Sequence, residues 1–363
     1  MSEDGASLSL APRANPNLHG QEAAERALLD AYISGRLAHA WLLAGPRGIG
    51  KATLAYRFAR FILAGGGPGG MHGDAARPES LAIAAGNPVF RRVASGGHVD
   101  LLSVERSMDE RGRMRSEIVV EDVRAVADFL HLTPAEGGWR VVVIDGAEEM
   151  NRSAANAVLK ILEEPPRQSL ILMVSHAPGR LLATIRSRCR RLVLKPLSRE
   201  VVARILAEQR PELASEDASL LAGLAEGSAG RALALAEEGG LALFRETLGL
   251  LSGLPQVDVP SLHRLAGRAT GSEGEAAYRI VSDILLWWLA RLIRTGASDE
   301  APMELLPGET AVYRRLAGRG SLDRWLEVWE KTRHLFSRVE SLNLERKQIL
   351  LNAILAVESA SRP

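Results

Sequence analysis

Nine residues, GPRGIGKAT from Gly45 to Thr53, carry the plainest chemical signal in the chain. They follow the apolar run Trp41 to Ala44 and precede a helix-period run from Ala52 to Leu63, so they read as a turn between a strand and a helix. Backbone N–H groups gathered at a helix start cradle phosphate oxygens, and a lysine at this point reaches the outer phosphates of a nucleotide. Gly45, Pro46, Arg47, Gly48, Ile49, Gly50, Lys51, Ala52 and Thr53 are therefore candidate nucleotide-binding residues. A working loop of this type lends Mg²⁺ a hydroxyl from the residue after the lysine, and Ala52 has none. Thr53 comes one position later, about 100° round the helix. The spacing predicts an intact phosphate cradle with an incomplete magnesium seat. The competing reading is a glycine-rich turn with a chance lysine.

A second segment, VVVIDGAEEM from Val141 to Met150, supplies an apolar strand that ends in acid. Asp145 stands where a carboxylate holds Mg²⁺ through water. Hydrolysing sites of this architecture place a glutamate next, to polarise the attacking water, and here Gly146 stands instead. Glu148 and Glu149 lie further along and read better as part of a loop or helix start than as a replacement base.

The elements that would position these residues follow from hydrophobic patterning. Trp41 to Ala44, Asp100 to Val104, Val141 to Ile144, Leu170 to Val174 and Arg191 to Leu194 read as strands, most of them almost wholly apolar, as parallel strands covered on both faces must be. Glu121 to Leu130 and Ser153 to Glu163 have helical spacing, the latter stopped by Pro165 and Pro166. Strand and helix alternating predict an α/β fold with an open parallel sheet and helices on both faces. Residues 1–16 read as a flexible lead-in, and 65–97 as a glycine-rich excursion with no clear strand or long helix. After Pro196 the chain turns to Ala, Leu, Glu and Arg and stays helical, with a break near Gly253 to Pro260. We divide it as 17–196 for the phosphate-loop domain, 197–252 for a small helical lid and 253–363 for an all-α terminal domain.

Composition narrows the classes. With 46% apolar and 25% charged residues among 363, a disordered or fibrous chain is excluded. Lys plus Arg total 45 against 44 Asp plus Glu, so any nucleic-acid contact rests on local patches. A single cysteine, Cys189, excludes internal disulfides and a thiolate zinc cluster, and fits a reducing, cytoplasmic setting. The N-terminus lacks the pattern of a secretory signal. The most apolar window, Ile280 to Ile293, contains Asp283 and Arg291 and reads as a core helix, not a membrane span. Its apolar residues go nearly all round, so Trp287 and Trp288 are either bundle core or part of a surface covered by partners. A sequence-specific DNA-binding protein finds little support, because no reading helix is recognisable.

These residues, together with HGQEAA (His19 to Ala24), the whole block from Val141 to Pro166, TIRSRCRRL (Thr184 to Leu192) and GSAGRALAL (Gly227 to Leu235), resemble the AAA+ P-loop clamp-loader subunits. Within them the similarity is to the delta-prime family of bacterial DNA polymerase III, over Leu18 to the C-terminus. The resemblance implies a RecA-like AAA+ domain, a lid and a C-terminal collar. It implies a non-catalytic subunit of a DNA-directed DNA polymerase holoenzyme, a nucleotidyltransferase complex, that loads the sliding clamp onto primed DNA. Its partners would be gamma/tau and delta subunits in a hetero-pentameric ring, with the clamp and primer-template DNA met through the assembled complex. Arg188 would be an arginine finger acting in trans, worth about 10³ to 10⁵ in rate. On a plainer reading, Arg186, Arg188, Arg190 and Arg191 form an exposed basic edge. Ser175 matches a γ-phosphate sensor and Arg231 a lid-helix arginine, with turn or cap roles equally open, while His19 and Gln21 would frame the adenine. Cys189 reads as packed. ATP would be bound without hydrolysis and Mg²⁺ poorly held. Family members that bind zinc carry four cysteines after the loop helix; this chain has none there, and His72 and His98 are not a ligand set, so no zinc is expected. The alternative is a gamma/tau-type motor that hydrolyses ATP.

Overall fold

A computed structural model describes residues 11–66, 78–109, 111–136, 138–271, 274–298, 303–339 and 344–362. The start of the expected lead-in and residues 67–77 of the glycine-rich excursion, His72 among them, lie outside these residues. In chain order the first elements are α1 (Glu22–Ile33), β1 (Ala40–Ala44), α2 (Lys51–Leu63), α3 (Pro88–Ala94), β2 (Leu101–Val104), α4 (Val120–His131), β3 (Arg140–Asp145), α5 (Arg152–Glu163), β4 (Ser169–Ser175), α6 (Ala183–Arg188) and β5 (Arg190–Val193). Helices alone follow: α7 (Arg199–Gln209), α8 (Ser215–Leu224), α9 (Ala229–Glu237), α10 (Gly240–Ser252), α11 (Val259–Gly267), α12 (Gly274–Ala297), α13 (Glu309–Ala317), α14 (Leu322–Ser337) and α15 (Arg346–Ser361). Two compact units result, Met1–Glu212 with Ala225–Arg231, and Leu213–Leu224 with Ala232–Pro363.

The sheet of the first unit is parallel throughout, in the order β2-β3-β4-β1-β5. Alternation along each strand divides its side chains between two cores. Trp41, Leu43, Val141, Val143, Leu170, Leu172 and Val174 pack with α1 and α2 on one face. Leu42, Val142, Ile144, Ile171 and Met173 pack with α4, α5 and α6 on the other. Coverage of both faces explains why these strands read as unbroken apolar runs. Asn151 caps α5, its Oδ1 accepting from the Ala154 amide at 2.9 Å, and Ser198 caps α7 through the Val201 amide at 3.3 Å. Cys189 is buried beside Met173, and burial pushes its thiol up to about 11, as suits a packed residue.

One segment departs from the sequence reading. Residues 11–16, expected within a flexible lead-in, are strapped to α2. The Arg60 guanidinium donates to the carbonyls of Arg13 and Asn15, each at 2.8 Å, and stacks 4.5 Å from the Phe90 ring centroid. Arg57 donates to the Pro16 carbonyl at 2.7 Å while pairing with Glu25. Within 65–97 the short helix α3 forms, opened by Asn87, whose side chain accepts from the Val89 amide at 2.8 Å. Its 7 residues fall below the length at which periodicity separates a helix from a loop.

In the second unit α12 is the central element. It packs on α10, α13, α14 and α15, and Trp287 and Trp288 are 6% and 2% exposed. The all-round apolar helix is thus accounted for inside its own bundle, and the partner-covered alternative for these two tryptophans is not needed. Arg291 is buried too: its guanidinium stacks 4.7 Å from Trp287, donates to the Met303 carbonyl and lies 3.5 Å from the Glu309 carboxylate. A charge can enter such a core only with a partner of this kind. Among the described residues, no helix is long and apolar enough to cross a membrane.

Replacing Arg60 by alanine removes two charge-assisted bonds from a buried site, a loss of about 2 to 4 kcal/mol. Hydrogen exchange should show faster exchange of the Ala14, Asn15 and Asn17 amides in Arg60→Ala, with a lowered melting temperature. Unchanged protection there would refute the strap.

Candidate functional site

Three neighbouring strands, β3, β4 and β1, end side by side and deliver Asp145, Ser175 and the start of the phosphate loop to one edge. Ala44 pairs with Ser175, and the Gly45 amide donates to the Ser175 carbonyl at 3.3 Å. This is the carboxyl edge of a parallel sheet, where ligands of α/β folds sit. Pro46 and Arg47 are exposed and Ile49 is buried, so the loop is pinned by its centre and open at its shoulder. Gly50 has φ of 95° and forms the N-cap of α2.

Lys51, the first residue of α2, is only 2% exposed. Its Nζ turns back and donates to the Pro46 carbonyl within the loop. Burial pulls its ammonium down to about 8, against the attraction of Asp145 and Glu148, and the Arg47 charge adds to the fall. Asp145 moves the opposite way: burial raises its carboxyl, the Glu105 charge adds to the rise, and Lys51 opposes both. A desolvated cation beneath a ring of glycine-turned amides suits an anionic phosphate. The residues present therefore fit the phosphates of a nucleotide. They do not complete a magnesium seat: Ala52 has no hydroxyl, and Thr53 follows it half-buried on α2.

The position after Asp145 has a backbone that suits glycine. Gly146 adopts φ of 73°, and a Cβ there would stand 2.9 Å from Glu149 Oε2. A glutamate at this position would need a left-handed backbone and the space Glu149 fills. Glu149 itself pairs with Arg106 Nε at 2.9 Å. Glu148 is equally committed, its Oε1 accepting from the amides of His176 at 2.8 Å and Ala177 at 3.1 Å. Burial works against the Glu148 charge, but hydrogen bonding from its own amide, the Ser175 hydroxyl and the His176 amide outweighs it and holds the carboxyl below its ordinary range. A carboxylate spent on two backbone donors ties the β3 loop to the end of β4, which matches the structural reading of these glutamates.

The segment entering α9 meets the loop through glycine. Gly230 donates its amide to the Gly48 carbonyl at 2.9 Å, and a Cβ on Gly48, whose φ is 74°, would stand 2.3 Å from Ser228 Oγ. Arg231 follows at once on α9; its amide is capped by Ser228 Oγ at 3.1 Å, and its guanidinium lies 4.0 Å from Glu226. The contact with the loop is thus made by Ser228 and Gly230, which sequence reasoning passed over because glycine carries no side-chain signal. Gln21, 4% exposed, donates to the carbonyls of Ile49 at 3.1 Å and Lys195 at 2.9 Å, stapling the loop to the β5 exit. His19 lies 3.1 Å from Glu208 on α7. His98 is buried and its Nδ1 accepts from the Asp100 amide at 3.2 Å. No cluster of metal-binding side chains occurs among the described residues.

Arg188 ends α6, well away in sequence from the loop. Its side chain is 36% exposed, with Nη2 at 2.7 Å from Glu163 Oε1 and Nη1 donating to the Thr184 carbonyl at 3.1 Å. The other arginines of this edge differ among themselves. Arg186 donates to the carbonyls of Pro178 and Gly179, Arg190 stacks 4.8 Å from the Trp41 ring, and Arg191 is exposed on β5.

Comparison with known proteins agrees with this architecture. The model of a family described as DNA polymerase III, delta subunit, matches residues 20–198. The DNA polymerase III subunit delta′ of Pseudomonas aeruginosa is 38% identical over 161 residues, 44% of each chain. The subunit tau of Escherichia coli is 32% identical over 231 residues, 62% of this chain and 33% of that protein. The chain therefore spans less than half the length of these two relatives. The subunit delta′ of Escherichia coli is 30% identical over 346 residues, 93% of both chains. With a parallel sheet, a phosphate loop and an identity that runs nearly end to end, the chain belongs to the delta-prime family of DNA polymerase III clamp-loader subunits.

Proposed function

We propose that this chain is a stator of the clamp loader: a subunit that holds a nucleotide-shaped pocket without hydrolysing ATP and lends Arg188 to the ATP site of a neighbour. The observation that carries this reading is the double loss at the pocket. Ala52 gives no hydroxyl, and the residue after Asp145 is a glycine with φ of 73°, so neither metal nor water is served. The phosphates of ATP would lie on the amides of Gly48 to Lys51, with the Lys51 ammonium beneath them. Ser175 and Arg231 would face the outer phosphate from strand end and lid. Bound there, ATP would supply negative charge to a site that already holds a desolvated cation, and so would tie loop and lid together.

Arg188 suits the trans role because it stands on an exposed edge, presented by the rigid end of α6. A guanidinium offers five donors in a planar fork, matched to developing phosphoryl charge. In this reading 17–196 is the AAA+ domain, 197–252 the lid and 253–363 the collar. Partners are gamma/tau-type and delta-type subunits, and the sliding clamp and primer-template DNA are met through the ring, in the cytoplasm. The similarity to a tau subunit favours a second reading, a hydrolysing motor. That reading needs Glu148 as base, and Glu148 is held by two backbone amides.

Three outcomes test the proposal. The isolated chain should show no steady-state ATP turnover above background, and turnover comparable to ordinary AAA+ ATPases would refute the stator reading. Arg188→Ala should leave the reconstituted loader assembled while cutting clamp-stimulated hydrolysis sharply, by up to about 10³-fold at the one site it serves; normal hydrolysis would remove the finger. Lys51→Met should abolish binding of a fluorescent ATP analogue yet stabilise the chain at pH 7. The folded-state value of about 8 lies below the ordinary 10.5, so the folded state binds fewer protons between those values and wild-type stability rises with pH across that window. Below it the buried charge costs up to about 3 kcal/mol, which methionine recovers. Chemical denaturation at pH 7 and pH 10 measures this, and a methionine variant less stable at pH 7 would contradict it.

A further inference from the structure

The acidic partner of Arg188 has no role in the reading above. Glu163 is the last residue of α5, in front of Pro165 and Pro166. A carboxylate at a helix C-terminus faces the negative end of the macrodipole and is disfavoured there unless a cation compensates. Here the cation is Arg188, whose Nη2 lies 2.7 Å from Glu163 Oε1. A second anchor, the Thr184 carbonyl, takes Nη1 at 3.1 Å. The two anchors come from different elements, the end of α5 and the first turn of α6, and both elements pack on the same face of the sheet. Two contacts on different nitrogens fix the plane of the guanidinium. They leave Nε–H and the second N–H of each terminal nitrogen unspent.

We propose that Glu163 is a positioning residue: it holds the Arg188 guanidinium in one plane, so that its remaining donors meet the phosphates of a neighbouring subunit without a search over rotamers. The inference rests on the assignment of Arg188 as a trans finger and deepens it. An arginine free in solution loses substantial rotamer freedom when it docks, and ordering it beforehand removes that loss from the transition state. Both side chains are well exposed, 36% for Arg188 and 50% for Glu163. Such a pair adds little to folding stability, so its function is separable from the fold.

The test uses the complete loader. Glu163→Ala and Glu163→Gln, each with and without Arg188→Ala, are reconstituted with gamma/tau-type and delta-type subunits. Assembly is checked by size-exclusion chromatography. ATP turnover with clamp and primed DNA is then followed across ATP concentrations. Glu163→Ala is expected to lower kcat about two- to tenfold at unchanged KM, the size set by disordering one long side chain. Glu163→Gln, whose amide oxygen still accepts from Arg188, should retain more of the rate. In the Arg188→Ala background the alanine at 163 should change nothing further. An unchanged or faster kcat in Glu163→Ala, or a loss that persists without Arg188, overturns the positioning role while leaving the finger intact. Normal turnover in Arg188→Ala alone overturns the finger, and the positioning role with it.

Discussion

A lysine ammonium buried at the head of α2 is the constraint around which the first unit is arranged. At 2% exposure Lys51 has given up its water, and a cation in that position persists only if charge and dipoles replace the solvent. The replacements come from separate parts of the chain: the Pro46 carbonyl from the loop, and the charges of Asp145 and Glu148 from the far end of β3. Each compensation constrains another element. Glu148 stays charged because the amides after β4 hold it, and those amides are in place because β4 lies between β3 and β1. The strand order is thus coupled to the electrostatics of one side chain.

Phosphate binding and hydrolysis make different demands on a loop of this kind. Anion binding is distributed over backbone amides, which any residue provides if the turn is kept. Metal binding and water activation each depend on one particular side-chain atom. Ala52 offers no hydroxyl and Gly146 no carboxylate. At Gly146 the left-handed turn lets Glu149 fold over it and meet Arg106. Charge is meanwhile kept on the outer edge, where Arg188 is held in cis by Glu163 and Thr184.

The second unit meets a different problem, how to bury a helix that is apolar almost all round. Its solution is central placement, with α10, α13, α14 and α15 covering α12 on several sides. Arg291 and Glu309 enter this core as a charged pair, and the guanidinium also meets two aromatic faces. Tyr313 joins the same cluster: it donates to Glu309, and burial raises its hydroxyl above the ordinary range. A buried charged pair of this kind favours one register of α12 against α13, because any slip would strand each charge without its partner.

The sequence by itself determined the strands, the phosphate loop and the missing hydroxyl and glutamate. Strand limits read from apolar runs lie within one residue of the observed ends, from Ala40–Ala44 to Arg190–Val193. These features are legible because their causes are local: periodicity follows from burial on a face, and a glycine turn before a lysine follows from backbone sterics. Only the tertiary structure decided the order of the strands, the strap of residues 11–16 on Arg60, the closure of Gly48 by Gly230, and the partners of Glu148 and Arg188. Apart from the bond of Arg188 to the Thr184 carbonyl four positions away, those contacts join residues 25 to 182 positions apart in the chain. No spacing rule reaches across such intervals, since a side chain is drawn to whatever charge or dipole the folded chain brings beside it. Whether Trp287 and Trp288 face a partner or a core was undecidable from helical period alone, because a helix apolar on every side can be buried by its own chain or by another; the packing of α12 settled it.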